Sequence, residues 1–221
     1  MATATTERER TPYALAAREL LRDTLLDGAR GELERRGWAQ ITMADVAAAA
    51  GVSRQTLYKE FGSREAFAQA LVMREGDRFL LAVEDAVQEH LGDPARALQA
   101  AFDVFLTAAA EDPLVRVLLS DDETGSLLPL ITTHGEPVVA RATERLAAII
   151  TAGWPGVRQA DASLLAECLV RLAISYAALP TGPTGMTAAS VTTLLGPYIE
   201  RLLAEAAARG DGDDGTGDEP G

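Results

Sequence analysis

Residues 42–64 read TMADVAAAAGVSRQTLYKEFGSR, and the fold is decided in this stretch. Thr42 has the side chain of an N-cap, and Asp45, three residues on, can return the capping bond. Met43, Val46, Ala47 and Ala50 follow at helical spacing. Gly51 stops that helix, because glycine tolerates the left-handed backbone of a helix end. Val52 is a one-residue apolar spacer, and Ser53 caps a second helix. Leu57 and Phe61 share one face of it at i, i+4, whereas Arg54, Gln55, Tyr58 and Lys59 do not. Gly62 ends the second helix, and Ser63 can cap a third.

Two short helices joined by a tight glycine turn form a helix-turn-helix. The small Ala47 lets the helices cross closely, and Val46, Val52 and Leu57 fix the crossing. The polar face of the second helix suits the major groove. Arg54, Gln55 and Thr56 are the candidate base readers, since Arg pairs with guanine and Gln with adenine in bidentate fashion. Thr42, Ser53, Tyr58, Lys59 and Arg64 are the candidates for the phosphate backbone. The competing reading is a helical hairpin that serves as an interaction module without nucleic acid.

The run Thr42-x3-Val46-Ala47-x2-Ala50-Gly51-Val52-Ser53-x3-Leu57-Tyr58-x2-Phe61 resembles the tetracycline-repressor (TetR) family of bacterial regulators. It covers about a tenth of the chain and departs from the family at two places. Glu60 stands where the family usually has His or Tyr, and Arg64 where it usually has Lys. Arg64 is still suited to a phosphate. Glu60 is not, and is expected either to accept from a cytosine amine or to pair with Arg64. The resemblance implies a homodimer built on the last two helices and an effector bound inside the body. It also implies that the effector shifts the long helix from Ser63 and re-spaces the two heads.

The chain has 221 residues, 48% of them apolar with few aromatics, which fits an all-α protein with an N-terminal three-helix head and a C-terminal helical body. No apolar run is long enough for a membrane span. The charged N-terminus (ERER) has no signal-peptide core, so a cytoplasmic protein is expected. Cys168 is the only cysteine. The net charge of −13 is unevenly placed. Residues 1–65 hold ten basic and ten acidic side chains, and residues 66–221 hold ten and twenty-three. An acidic body repels phosphates and turns the neutral head toward DNA.

The head is expected over 11–62, with residues 1–10 disordered and Thr11-Pro12 opening its first helix, which Gly37 closes. The body is expected over 63–208. It opens with a helix from Ser63 to about His90, followed by one over 93–111 and a short one from Asp112-Pro113 to Leu119. Further helices are expected over 130–152, kinked at Gly135–Pro137, over 160–179, and over 187–208. Residues 209–221, rich in Gly and Asp, read as a disordered acidic tail. The apolar pattern of the last two helices is two-sided. Leu165, Leu169, Leu172, Leu195, Tyr198 and Leu202 are therefore the candidate dimer interface.

Catalysis has no constellation to support it. The histidines are His90 and His134, no HxxxH or CxxC occurs, and neither a Walker loop nor Gly-x-Ser-x-Gly is present. No enzyme, metal or cofactor is expected. For the effector pocket the candidates are Phe102, Phe105, Leu106, His134, Arg141, Cys168, Arg171 and Ser175. Arg171 either lines that pocket or pairs with Glu167 at i−4, and Cys168 reads as a small buried hydrophobe. The partners are then double-stranded DNA, a mostly apolar small molecule and a second copy of the chain. The whole reads as a ligand-responsive transcriptional regulator, most simply a repressor, with an activator lacking an effector as the alternative.

Overall fold

Capping defines the short helices. In this computed structural model, which describes residues 4–112, 115–117, 127–178 and 188–213, Thr42 caps helix α2 (Met43–Ala49) in a reciprocal capping box with Asp45. The Thr42 hydroxyl accepts from the Asp45 N–H at 3.2 Å, while the Asp45 carboxylate accepts from the Thr42 N–H at 2.8 Å. Gly51, at φ 69°, closes α2. Ser53 caps α3 (Arg54–Phe61) by accepting from the Thr56 N–H at 3.0 Å, and Gly62, at φ 82°, ends it. Ser63 caps α4 (Arg64–Gln88). Asp93 caps α5 (Pro94–Glu111), which has its proline in the first turn. The remaining helices are α1 (Ala4–Leu33), α6 (Glu136–Gly153), α7 (Gln159–Ala178) and α8 (Ala188–Asp213). Short 3₁₀ turns lie at Trp38–Gln40 and Leu128–Leu130. No strand occurs among the described residues.

Several expected boundaries move. Helix α1 begins at Ala4, so Thr11 and Pro12 lie inside it and residues 4–10 are helical. Glu and Arg there favour helix, and the start signal at Thr11 is overrun. α1 stops at Leu33, and Gly37 instead precedes the Trp38–Gln40 turn. α8 continues through Gly210 to Asp213, as extending a formed helix costs far less than starting one. Residues 214–221 of the expected tail lie outside the described residues. The expected kink at Gly135–Pro137 is a full break: α6 starts at Glu136, and a Cβ on Gly135 would stand 2.5 Å from the Ile131 carbonyl carbon. Of the short helix after Asp112, residues 115–117 are helical, with the Val115 N–H donating to the Asp112 carboxylate at 3.2 Å.

Two apolar cores form. The first joins α1, α2 and α3 to the start of α4 through Leu25, Val46, Leu57, Phe61, Phe67 and Leu71. Its aromatics are layered: Phe61 meets Phe67 edge-on at 4.8 Å, and Phe67 lies parallel to Trp38 at 6.4 Å. The second core joins the rest of α4 to α5, α6, α7 and α8 through Val83, Phe102, Ile150, Leu169 and Leu202. The cores meet within α4, after Val72, rather than between residues 62 and 63. No described helix is long and apolar enough to cross a membrane.

Candidate DNA-binding surface and effector cavity

The buried Leu57 and Phe61 seat α3 on the head core. This leaves Arg54, Gln55 and Lys59 exposed, with Thr56 and Tyr58 half-buried beside them. The Arg54 guanidinium lies over the Tyr58 ring at 5.2 Å, which limits its sweep. The Ser53 and Thr56 hydroxyls are hydrogen-bonded at 2.8 Å. Three exposed polar side chains thus project from a helix braced by its own caps, a geometry that can enter a groove and read base edges. Thr42 is less free. Its hydroxyl donates to the Asp45 carboxylate at 2.7 Å and must release that bond before donating to a phosphate. The hydrogen bonds from the Thr42 side chain and N–H, together with nearby Arg36, hold the Asp45 carboxyl below its ordinary value despite desolvation.

Both departures from the family pattern turn inward. Glu60 does not pair with Arg64. Its carboxylate accepts from Arg18 and Arg22 of α1, at 2.8 and 3.0 Å. Burial pushes this carboxyl up, but the hydrogen bonds from the two arginines outweigh it and leave it below the usual range. Arg64 donates to the carbonyls of Ile41 and Trp38 and stacks on the Trp38 ring at 4.4 Å. Its guanidinium is therefore engaged as a clamp between α4 and the head, a correction to the expectation that it reaches a phosphate.

In the body, a cavity of about 180 Å³ opens between α4, α5, α6 and α7. Its walls include Leu80, Phe102, Phe105, Leu146 and Leu169, with Gly76 on α4. The charged groups at it are Asp77 and Arg141, paired at 3.1 Å. A second, smaller cavity of about 60 Å³ lies beyond Leu98, Ala101, Leu146 and Leu169, which line both. Of the expected pocket residues, Phe102, Phe105 and Arg141 line the cavity. Leu106 packs on the core beside it. His134, Cys168, Arg171 and Ser175 are exposed on the outer surface, so their assignment to the pocket is corrected. Arg171 pairs with Glu167 at 2.8 Å. The helical phase of α7 explains the shift: Leu165 and Leu169 point inward, and Leu164, Cys168, Arg171 and Ser175 form the outward stripe.

The same phase divides the residues of the expected interface. Leu165, Leu169 and Leu202 are sealed in the protomer core, while Leu172, Leu195 and Tyr198 pack against it half-buried. The large apolar side chains left open on these two helices are Leu164, 57% exposed, and Leu194, 61% exposed.

Sequence reasoning missed what joins cavity to head. Val72 and Val138 line the cavity and also belong to, or pack on, the head core. One residue before Gly76, the buried Glu75 accepts from Arg30 of α1 and pairs with Arg78, at 3.2 Å, and with Arg74, at 3.3 Å. Arg74 and Arg78 also hold Asp27 of α1, at 3.0 and 2.9 Å. A signal existed. Glu75 falls on the otherwise apolar stripe Phe67–Leu71–Glu75, and a charge in such a stripe needs buried partners.

The family described as bacterial regulatory proteins of the tetR family matches residues 25–71, and the bacterial tetracyclin repressor C-terminal domain matches residues 93–197. The transcriptional regulator AlkX of Mycobacterium tuberculosis is 42% identical over 193 residues, covering 87% of this chain and 92% of that protein. The crystal structure of the TetR-family repressor AlkX from Dietzia sp., implicated in biodegradation of n-alkanes, superposes with a TM-score of 0.73 at 36% identity. It covers 82% of this chain and 96% of that one. RolR in complex with resorcinol shares the fold, with a TM-score of 0.59 at 19% identity over 87% of this chain and 95% of that one.

Proposed function

The chain belongs to the TetR family of bacterial regulatory proteins, and from that premise we propose that it is a cytoplasmic, homodimeric repressor released from its operator by a mostly apolar small molecule. The observation that carries this reading is the apolar cavity that abuts the head core through Val72 and Val138. A ligand there presses on α4 at Val72, Gly76 and Leu80. The adjoining side of the same turn is tied to α1 through Glu75 and Arg30. Movement of α4 therefore carries the head with it. Two heads must present α3 about 34–36 Å apart to meet successive major grooves, so a tilt of α4 weakens operator binding without unfolding anything. A ligand acts only if it prefers the DNA-incompetent spacing.

The walls favour an aliphatic ligand, and the Asp77–Arg141 pair offers it one polar end. The n-alkane association of the Dietzia repressor supports the same class. Arg54, Gln55 and Thr56 are the proposed base readers, with Ser53, Tyr58 and Lys59 on the backbone and Thr42 after release of Asp45. The dimer is proposed to form through the outward stripe of α7 and the facing side of α8, centred on Leu164 and Leu194. Neither catalysis nor a cofactor has a part in this role.

Selection of duplexes from a random-sequence library tests the DNA-binding part. The enriched sites should contain two inverted half-sites one helical turn apart or a multiple of it. Failure to enrich any site, or enrichment of single half-sites only, would count against an operator-binding dimer.

A further inference from the structure

Glu60 places a negative charge at the end of the recognition helix. Thr56 and Glu60 share a flank at i, i+4, immediately after Lys59, but the Glu60 side chain turns back toward α1 and keeps only 10% exposure. A bare carboxylate there would repel the DNA backbone. The structure answers with two arginines from α1. The Nε–H of Arg18 donates to both Glu60 oxygens, at 2.8 and 3.1 Å. Arg22 donates to one of them at 3.0 Å and lies over the Phe61 ring at 4.3 Å, where it is half-buried.

The two arginines differ in what they leave free. Arg22 is half-buried between the Phe61 ring and the Glu60 carboxylate, with 37% of its side chain exposed. Arg18 engages only its Nε, and its two terminal nitrogens make no hydrogen bond among the described residues. Its side chain keeps 60% exposure. The three charges sum to plus one, and the positive end is at Arg18. A guanidinium held by its Nε presents the other N–H groups as a fixed donor fork, the geometry that phosphate oxygens accept.

We propose that Arg18 is a DNA-backbone contact, held at the groove's edge by Glu60, so that helix α1 delivers the phosphate contact that residue 60 cannot make. The inference rests on the operator-binding reading above. Glu60 acts here as a positioning residue, and Arg22 ties it to the head core.

The test is a salt titration of the full-length protein on a fluorescent duplex enriched by the wild type from a random library, and on an unrelated duplex. Lost phosphate contacts flatten the dependence of log affinity on log salt by about 0.9 each. Arg18→Ala should flatten the slope by about that amount per head, equally on both duplexes, with its thermal midpoint near that of the wild type. Arg18→Lys, which keeps the charge, should retain most of the slope. A slope unchanged in Arg18→Ala would overturn the contact, as would a flattening that Lys does not rescue. Failure of the wild type to bind any duplex would be a different result: the operator reading itself would fall, and the Arg18 contact with it.

Discussion

Arg54 and Lys59 are both exposed on α3 and are proposed to do different work. Arg54→Ala is expected to cost about 1–3 kcal/mol on the favoured site and to relax preference at particular base pairs. Lys59→Ala should weaken all sequences alike. Competition assays with single-base-pair variants separate the two, and uniform loss from Arg54→Ala would contradict base reading. The capping box allows a prediction of stability. Thr42→Ala should lower head stability by about 1 kcal/mol at neutral pH. Asp45 is held below its ordinary value of 3.8 by Thr42. Its contribution is therefore full above that pH and lost as pH falls through the lower folded value. The deficit of Thr42→Ala in thermal melts should narrow accordingly in acid. A deficit that stays constant down to the lowest pH would assign the cost to something other than this hydrogen bond. At this scale the caps and the positive-φ glycines Gly51 and Gly62 were legible, because each depends on neighbours in the chain. The partners of Glu60 and Arg64 were not, because they come from α1 and from the Trp38–Ile41 segment, 38 to 42 and 23 to 26 residues away.

Helix α4 is the element on which both halves depend. Its first third belongs to the head core, its middle turn carries Glu75 toward α1 and Gly76 toward the cavity, and its remainder belongs to the body. Gly76 is open: a Cβ added there meets no atom within 4 Å. Gly76→Ala should therefore stabilise the protein by about 0.5–1 kcal/mol through helix propensity. Gly76→Leu should fill the cavity, keep operator binding and abolish response to ligand. Loss of operator binding in Gly76→Leu, with folding intact, would mean that filling the cavity is itself enough to shift the heads. Apolar periodicity made the existence of α4 to α8 legible. It could not say which of two apolar sides faces inward, since Leu164 and Leu165 are equally apolar and differ by 100° around the helix. That ambiguity is what exchanged core for interface on α7 and α8, and it put Cys168 and Ser175 in the pocket list.

The whole molecule is a neutral reading head on an acidic body, net zero over residues 1–65 and −13 beyond. This asymmetry was visible in composition alone, because charge placement along the chain survives folding whenever the head is one contiguous segment. The proposed dimer is the assembly that would turn two heads into one operator reader. Leu164→Glu combined with Leu194→Glu should yield folded monomers by sedimentation that bind operator poorly. The inward Leu202→Glu should instead destabilise the fold, since it buries an unpaired charge. A double variant that remains dimeric would move the interface elsewhere.

Coupling between cavity and operator is the central claim, and one linked measurement tests it. A homologous series of straight-chain alcohols is ranked by the rise each gives in the thermal midpoint of the free protein. The strongest is then added to the protein on its enriched duplex. Because coupling is reciprocal, the compound that stabilises the free protein should weaken duplex affinity, by about 5–150-fold for ordinary allosteric coupling, and the effect should vanish in Gly76→Leu. A compound that raises the midpoint through the cavity yet leaves duplex affinity unchanged would contradict the mechanism.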